Sequence, residues 1–534
     1  MIRISQLKMA VDHKPEQLKE KIAKELRISV KQIQSYEIIK RSVDARKKPI
    51  KYVYQINVKV DQEKKIQSRS RHNNVMLTEP VEYCFPESGQ NKLKERPVII
   101  GSGPAGLFCG YMLAKHGYCP LILERGDEAS LRRKKVNHFW RTGVLDESSN
   151  VQFGEGGAGT FSDGKLNTLV KDPFGRNKEV LKIFVEAGAP PSILYEQRPH
   201  LGTDLLIQIV QNLRSQIEEM GGEFRFRSQV TDLLLQDGNV KAIEINKNEI
   251  LSCHVVILAI GHSARDTLSM LCKKPLDMEA KSFAVGVRIE HSQEMITEDQ
   301  YGINAPEVLG PASYKLTHKL INNRGIYSFC MCPGGYVVDA SSQKGLLAVN
   351  GMSYHDRKSP NANSALVVTV SPADYRSFHE DGVRPAMDGV SFQRHLERAA
   401  WQSAGGKVPV QLFGDFKSNK RSTGLGNISP CIMGKYELSN VRELLPSMIG
   451  ESITEGVLAF GKKIKGFDRP DALISGIESR TSSPVKIKRN DRMESSVKGL
   501  YPCGEGAGYA GGITSAAMDG IRAAEAVCKK YMKF

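Results

Sequence analysis

The run Gly101-Ser102-Gly103-Pro104-Ala105-Gly106 follows a short apolar segment, Pro97-Val98-Ile99-Ile100, and precedes a helical stretch over residues 107–115. Glycines at this spacing suit the cradling of a pyrophosphate. Gly101 turns the chain out of a strand, Gly103 lets backbone N–H groups approach phosphate oxygens, and Gly106 lets the helix pack on the sheet. Pro104 and Ala105 complete the glycine turn, and the helix after it offers its positive N-terminal end to the phosphates. The next strand, residues 119–123, ends at Glu124, where a carboxylate can accept both hydroxyl hydrogens of an adenosine ribose. Arg125 follows it. Two free ribose hydroxyls suit either FAD or NAD and disfavour a 2′-phosphate.

The far end of the chain separates the two. Residues 500–505 form a short strand that ends in Gly504 and the carboxylate of Glu505, a glycine-rich loop runs from Gly506 to Gly511 and Gly512, and Ile513 opens a helix to about residue 530. A nicotinamide dinucleotide has no use for such a distant element. A flavin does, because its ribityl chain and ring extend beyond the pyrophosphate. Glu505 can hold a ribityl hydroxyl, and the N-terminus of the last helix can face the ring edge where charge accumulates on reduction. The expected cofactor is non-covalent FAD. A second strand–glycine turn–helix unit is missing between residues 270 and 470, so NAD(P)H is expected at most as a transient donor.

Redox chemistry on a substrate needs a base or a cation beside the reacting atoms. His262 and Arg265 follow the apolar run 255–260, which puts them at the carboxyl end of the sheet, where ligands bind. Arg480 lies in Glu-Ser-Arg-Thr-Ser-Ser, a run dense in hydrogen-bond donors. These three are the catalytic candidates. Arg288, His291, Tyr354 and His355 read as structural residues at strand ends, and Cys330-Met331-Cys332 as two buried thiols. Well-spaced Cys/His pairs for zinc are absent, so no metal is expected.

The elements that must position these residues form four blocks. Residues 1–90 read as a basic ferredoxin-like α+β domain. Residues 95–272 read as the first part of a doubly wound, Rossmann-like α/β domain, 273–467 as an inserted α+β substrate domain, and 468–534 as the second part of the dinucleotide domain. The net charge of +16 is concentrated at the start, where residues 1–96 hold 22 Lys/Arg against 12 Asp/Glu. Such a surplus suits a polyanion or, more simply, a solvated face. Tyr52 and Tyr54 could stack on bases, or fill a strand's inner face. Ten scattered cysteines suggest reduced thiols. No apolar stretch approaches the roughly 20 residues of a membrane helix, and the expected location is the cytoplasm.

The chain resembles the glutathione-reductase-like superfamily of two-piece FAD proteins and, within it, bacterial FAD-dependent dehydrogenases of unassigned substrate. The resemblance covers nearly the whole chain. It rests on the basic N-terminal run Ser42-Val43-Asp44-Ala45-Arg46-Lys47 and on Phe153-Gly154-Glu155-Gly156-Gly157-Ala158-Gly159-Thr160-Phe161-Ser162-Asp163-Gly164-Lys165-Leu166. It rests also on Ala259-Ile260-Gly261-His262-Ser263-Ala264-Arg265-Asp266 and Glu478-Ser479-Arg480-Thr481-Ser482-Ser483-Pro484-Val485. It implies that Gly156, Gly157, Gly159, Thr160 and Ser162 wrap the phosphate and ribityl side of FAD. It also implies that Val230 lies beside the adenine and that Ala259–Gly261 crosses close to the cofactor. Gly504-Glu505 departs from the superfamily's frequent Gly-Asp. The implied activity is that of a dehydrogenase or reductase, and the Arg and His residues near the expected flavin edge point to a small anionic metabolite as its substrate. An RNA-binding or RNA-modifying flavoprotein and a scaffold with idle flavin are the alternatives.

Overall fold

A computed structural model describes every residue except 71, 72 and 322. The short apolar runs at 98–100, 121–123 and 256–258 are buried on both sides, the signature of strands in a covered parallel sheet. The sheet runs Leu500–Pro502, Val256–Leu258, Val98–Ile100, Leu121–Leu123, Glu223–Arg225, all parallel. Successive side chains alternate between its faces. Ile99, Ile122, Ile257 and Tyr501 share one core with the helices Pro104–Lys115, Gly202–Glu219 and Ile513–Lys530. Val98, Ile100, Leu121, Leu123, Val256, Leu258 and Leu500 pack the other face against a three-stranded antiparallel sheet, Val230–Gln236, Asn239–Ile245 and Glu249–Ser252. Two remote pieces of chain thus make one Rossmann-like α/β layer.

A second sheet of seven strands has Asn361–Val370 and Phe283–Ser292 at its centre, and the helices Asp388–Ser403 and Ser447–Gly461 share its apolar core. Leu473–Glu478 pairs antiparallel with Phe283–Ser292. The inserted segment therefore continues past residue 467, where the sequence reading ended it. The apolar run 472–477 suits either sheet, and only the pairing register says which one it joins.

The N-terminal sheet is antiparallel in the order Ile33–Asp44, Lys51–Val60, Ile2–Ala10, Val75–Leu77, with the helices Pro15–Leu26 and Glu63–Arg69. Tyr52 and Tyr54 are only 7 % and 3 % exposed and meet the His13 ring edge-on. They fill its core, which withdraws them as base-stacking groups. Arg41 ties this unit to the next: its N–H donates to the Tyr195 carbonyl, and its guanidinium pairs with Glu196 at 2.8 Å.

Candidate cofactor and substrate site

Three glycines do three different things in the first turn. Gly101 sits at φ +101, a conformation that favours glycine. A Cβ on Gly106 would lie 1.9 Å from the Gly101 carbonyl oxygen, so helix and turn touch only because none is present. A Cβ on Gly103 would meet only the Gly157 Cα, at 3.8 Å, and would otherwise stand in open space. The same holds at Gly261, Gly511 and Gly512, where nothing lies within 4 Å.

That space is an elongated cavity of about 480 Å³. At its dinucleotide end it is lined by Gly101, Gly103, Pro104 and Ala105, by Glu124 and Arg125, by Gly157, Gly159 and Ser162, and by Val230, Ala259 and Gly261. Glu505, Gly511, Gly512 and Ile513 come to it from the far end of the chain. Two helices, Pro104–Lys115 and Ile513–Lys530, point their N-termini at it. Four predicted residues stand behind the wall rather than in it. Gly106 packs its helix, Gly156 lies against Thr160, the Thr160 hydroxyl donates to the Glu155 carbonyl at 3.4 Å, and the Gly504 N–H donates to Asp519 at 2.8 Å.

Glu124 is buried at the strand end. Its Oε2 accepts from the Ser102 N–H (3.0 Å) and Oγ–H (2.7 Å), and its Oε1 from the N–H groups of Gly126 (2.9 Å) and Gly154 (3.0 Å). The carboxylate thus organises two loops as well as facing the cavity, and a sugar hydroxyl has Ser102 Oγ–H to compete with. Arg125 is held by Asp266 (2.8 and 2.9 Å) and lies over the Phe153 ring. Sequence reasoning missed Arg132. It is fully buried and donates to the carbonyls of Asn150, Val151, Gly154 and Glu155 at 2.7–3.3 Å, which pins the loop that turns under the cavity. Burial lowers it to about 10, so it keeps its charge at neutral pH.

The three catalytic candidates part company. His262 lines the cavity with Nδ1 3.6 Å from Glu505 Oε2. Arg480 lines it too, but every edge of its guanidinium is engaged, by Glu397 (2.7 and 2.9 Å), Ser342 (2.6 Å) and Ser263 (3.4 Å). Arg265 does not reach the cavity. It is buried beneath it in a bidentate pair with the same Glu397, at 2.6 and 2.8 Å. The expectation that it acts on substrate is corrected: it opens a helix that turns its side chain into the second sheet's packing. The two guanidiniums hold Glu397 well below the usual carboxylate range despite its burial.

The second sheet supplies the opposite end of the cavity, with Tyr314, Ser328, Phe329, Cys330 and Asn350. Lys165, Arg198 and Lys315 also line it. Nothing in the local sequence around Arg198 or Lys315 marks them, because the fold alone brings them together. Cys332 is buried as expected, but Cys330 is exposed, toward the cavity, a correction to the reading of two buried thiols. Arg288 and His291 are buried in the second sheet, and His355 hydrogen-bonds Leu201 and Asp204, as structural residues do. Tyr354 packs edge-on against Tyr336. Among the described residues, no three His, Cys, Asp or Glu side chains cluster as metal ligands would, and no helix is long and apolar enough to cross a membrane.

Bare backbone along an elongated slot, two helix N-termini and a carboxylate at the strand end fit a flavin dinucleotide. Residues 282–481 match the family model "FAD-dependent protein, C-terminal domain-like", residues 99–154 "NAD(P)-binding Rossmann-like domain", and residues 1–59 "Domain of unknown function (DUF8436)". The chain is 48% identical over 536 residues to an "Uncharacterized protein" of Clostridium beijerinckii, covering 99% of each. It is 25% identical over 245 residues to the "Digeranylgeranylglycerophospholipid reductase" of Haloferax volcanii, covering 45% of this chain and 50% of that one. The solved quinol fumarate reductase of E. coli aligns over 82% of this chain and 70% of its own, at 10% identity and TM-score 0.35, and nothing about the site rests on that likeness. An end-to-end relative, with an FAD-dependent C-terminal domain and a Rossmann-like segment on the same chain, establishes kinship: the chain belongs to a family of FAD-dependent flavoproteins with a Rossmann-like nucleotide-binding domain, shared with the C. beijerinckii protein.

Proposed function

We propose that the protein is an oxidoreductase that exchanges hydride between non-covalently bound FAD and a small anionic molecule held against the second sheet. One observation carries this reading: a single cavity has a glycine cradle at one end and Lys165, Arg198 and Lys315 at the other. FAD, when bound, supplies a two-electron acceptor and donor. The cradle residues Gly101, Gly103, Gly157, Gly261 and Gly512 would hold its phosphates and backbone, and Glu124 its ribose. Lys165 and Arg198 would orient the substrate's acid group, and the second sheet would keep bulk water from the reacting atoms. His262, beside Glu505, is placed to hold or pass a proton. The reductase name borne by the H. volcanii relative is in keeping with redox chemistry. NAD(P)H would then dock transiently as donor. The RNA-binding alternative loses its proposed stacking residues, since Tyr52 and Tyr54 lie in a core.

The test is anaerobic spectroscopy of the purified yellow protein with NADH, NADPH and pools of small organic acids. Bleaching of the flavin by one of them is expected. A spectrum that stays oxidised with every donor would overturn the reading.

A further inference from the structure

The basic N-terminal sheet does not stand apart from the cavity. Its edge strand, Ile33–Asp44, runs beside residues 195–197. The Arg41 N–H donates to the Tyr195 carbonyl at 2.6 Å, and the Gln197 N–H donates to the Arg41 carbonyl at 2.9 Å. The free backbone groups of an edge strand are open to such pairing. The Arg41 guanidinium adds an ion pair with Glu196 at 2.8 Å and lies 5.3 Å from the Tyr195 ring centroid, with the core residue Tyr52 on its own side at 5.0 Å. Arg198, one of the three cations of the cavity, follows directly. Beyond it the chain is clasped again. The Leu166 N–H donates to the Pro199 carbonyl at 3.0 Å, the Leu201 N–H donates to the Gly164 carbonyl at 3.1 Å, and Lys165 pairs with His200 between them. Arg198 thus stands between two clasps, one from the N-terminal sheet and one from the loop that carries Lys165.

The third cation is tied to the same sheet. Lys48, in the turn between Ile33–Asp44 and Lys51–Val60, donates to the Tyr301 carbonyl, and Leu309 packs against the N-terminal core. The segment they hold leads to Ser313 and Lys315 on the cavity wall. Arg198 closes the arc, its Nη1–H donating at 2.6 Å to Ser313 Oγ, 115 residues further along the chain.

Resting on the oxidoreductase reading, we propose that the N-terminal domain completes the acid-binding end of the cavity, with Arg41 as the positioning residue that holds Arg198 toward the ligand's carboxylate. Arg41 is not among the residues that line the cavity. It acts through residues 195–197, whose backbone it fixes. A free arginine side chain must be ordered when it takes up an acid, at a cost in conformational entropy. Fixing the backbone on both sides of Arg198, and its Nη1 on Ser313, lowers that cost and aims the cation. The domain's surplus of Lys and Arg adds a field that draws anions toward this end.

The experiment is a calorimetric titration of the full-length, FAD-loaded protein at low ionic strength with succinate, a plain dicarboxylate. Wild type is compared with Arg41→Ala, Glu196→Ala, Arg198→Ala and the double variant Arg41→Ala/Arg198→Ala. Lys178→Ala is the control, since it removes another ion pair between the same two units, Lys178 to Glu37 at 2.7 Å. Wild type is expected to bind succinate, and Arg41→Ala and Glu196→Ala to bind it roughly tenfold more weakly, with Arg198→Ala at least as weak. Because Arg41 acts through Arg198, the double variant should bind no more weakly than Arg198→Ala alone, whereas losses at independent sites add. Lys178→Ala should bind as wild type does, and all variants should keep the wild-type flavin spectrum. If Arg41→Ala does not fold, Glu196→Ala with Arg198→Ala makes the same comparison from the other side of the ion pair. A wild type that gives no heat with succinate, losses that add, an equal loss in Lys178→Ala, or a flavin spectrum altered by Arg41→Ala would each overturn the proposal. The two readings fail differently. A flavin that no donor bleaches sinks the oxidoreductase, whereas a bleachable flavin with an Arg41→Ala variant of wild-type succinate affinity sinks only the role of Arg41.

Discussion

Buried charges in this protein are held in two ways. Arg132 is solvated by backbone carbonyls, whereas Arg265 and Arg480 share the carboxylate of Glu397. Removing Glu397 leaves two buried guanidiniums without their shared counter-charge, so Glu397→Ala should cost about 3–5 kcal/mol, read as a lower urea midpoint. Arg132→Leu strips donors from four carbonyls and should weaken FAD binding by roughly tenfold or more, measured by titration of flavin fluorescence. Glu290 is the opposite case. Its Oε2 accepts from Asn361 and the Cys431 N–H, its Oε1 has no partner among the described residues, and burial pushes it up to about 7. Between the ordinary glutamate range and about 7 the folded state binds the extra proton, so stability falls as pH rises through that window. Glu290→Gln should therefore raise the melting temperature at pH values above about 7 and flatten that slope, by on the order of 2 kcal/mol. An unchanged slope in the variant would count against this account.

At the scale of elements, the turn from Val98–Ile100 into Pro104–Lys115 separates folding from binding. Gly103 has an ordinary extended backbone and open space before it, so Gly103→Val should leave the far-UV circular dichroism and melting of the flavin-free protein nearly unchanged and yet yield colourless protein. Gly106→Ala sets a methyl group 1.9 Å from the Gly101 oxygen and should destabilise the flavin-free protein as well, by about 1–3 kcal/mol. If both variants behaved alike, the division of labour between the two glycines would be wrong. The last helix makes a similarly close approach, since a Cβ on Gly520 would lie 2.1 Å from the Ala105 carbonyl. Helices that begin more than 400 residues apart can both aim their N-termini into one cavity because glycine lets their backbones touch.

For the molecule as a whole, the cofactor slot exists only when the strand Leu500–Pro502 has paired with Val256–Leu258. A ligand confined to the folded state stabilises it by mass action, so FAD added to flavin-free protein at a hundredfold excess over its Kd should contribute about 2.7 kcal/mol, seen as a concentration-dependent rise in melting temperature. A melting curve indifferent to FAD would mean that the two pieces do not close around it. Much of this architecture was legible beforehand. Glycine spacing, an acid at a strand end and a helix opening after Gly512 are local requirements, each met within a few residues, and a chain carries them wherever it folds. Other features had no local mark. Arg265 and Arg480 look equally suited to a substrate, but one lies under the cavity and the other beside it, because side-chain direction follows from the packing of the Asp388–Ser403 helix. The run 472–477 could join either sheet until its register was set. Cys330 opens to the cavity only through a bulge held by Arg288, 42 residues earlier. The residues by themselves determined the cradle and its Rossmann-like layer, since backbone geometry at glycine and the period of two in strands act over short range. Tertiary structure alone decided what faces the cradle, since that wall is assembled from segments whose meeting depends on strand pairing across the chain.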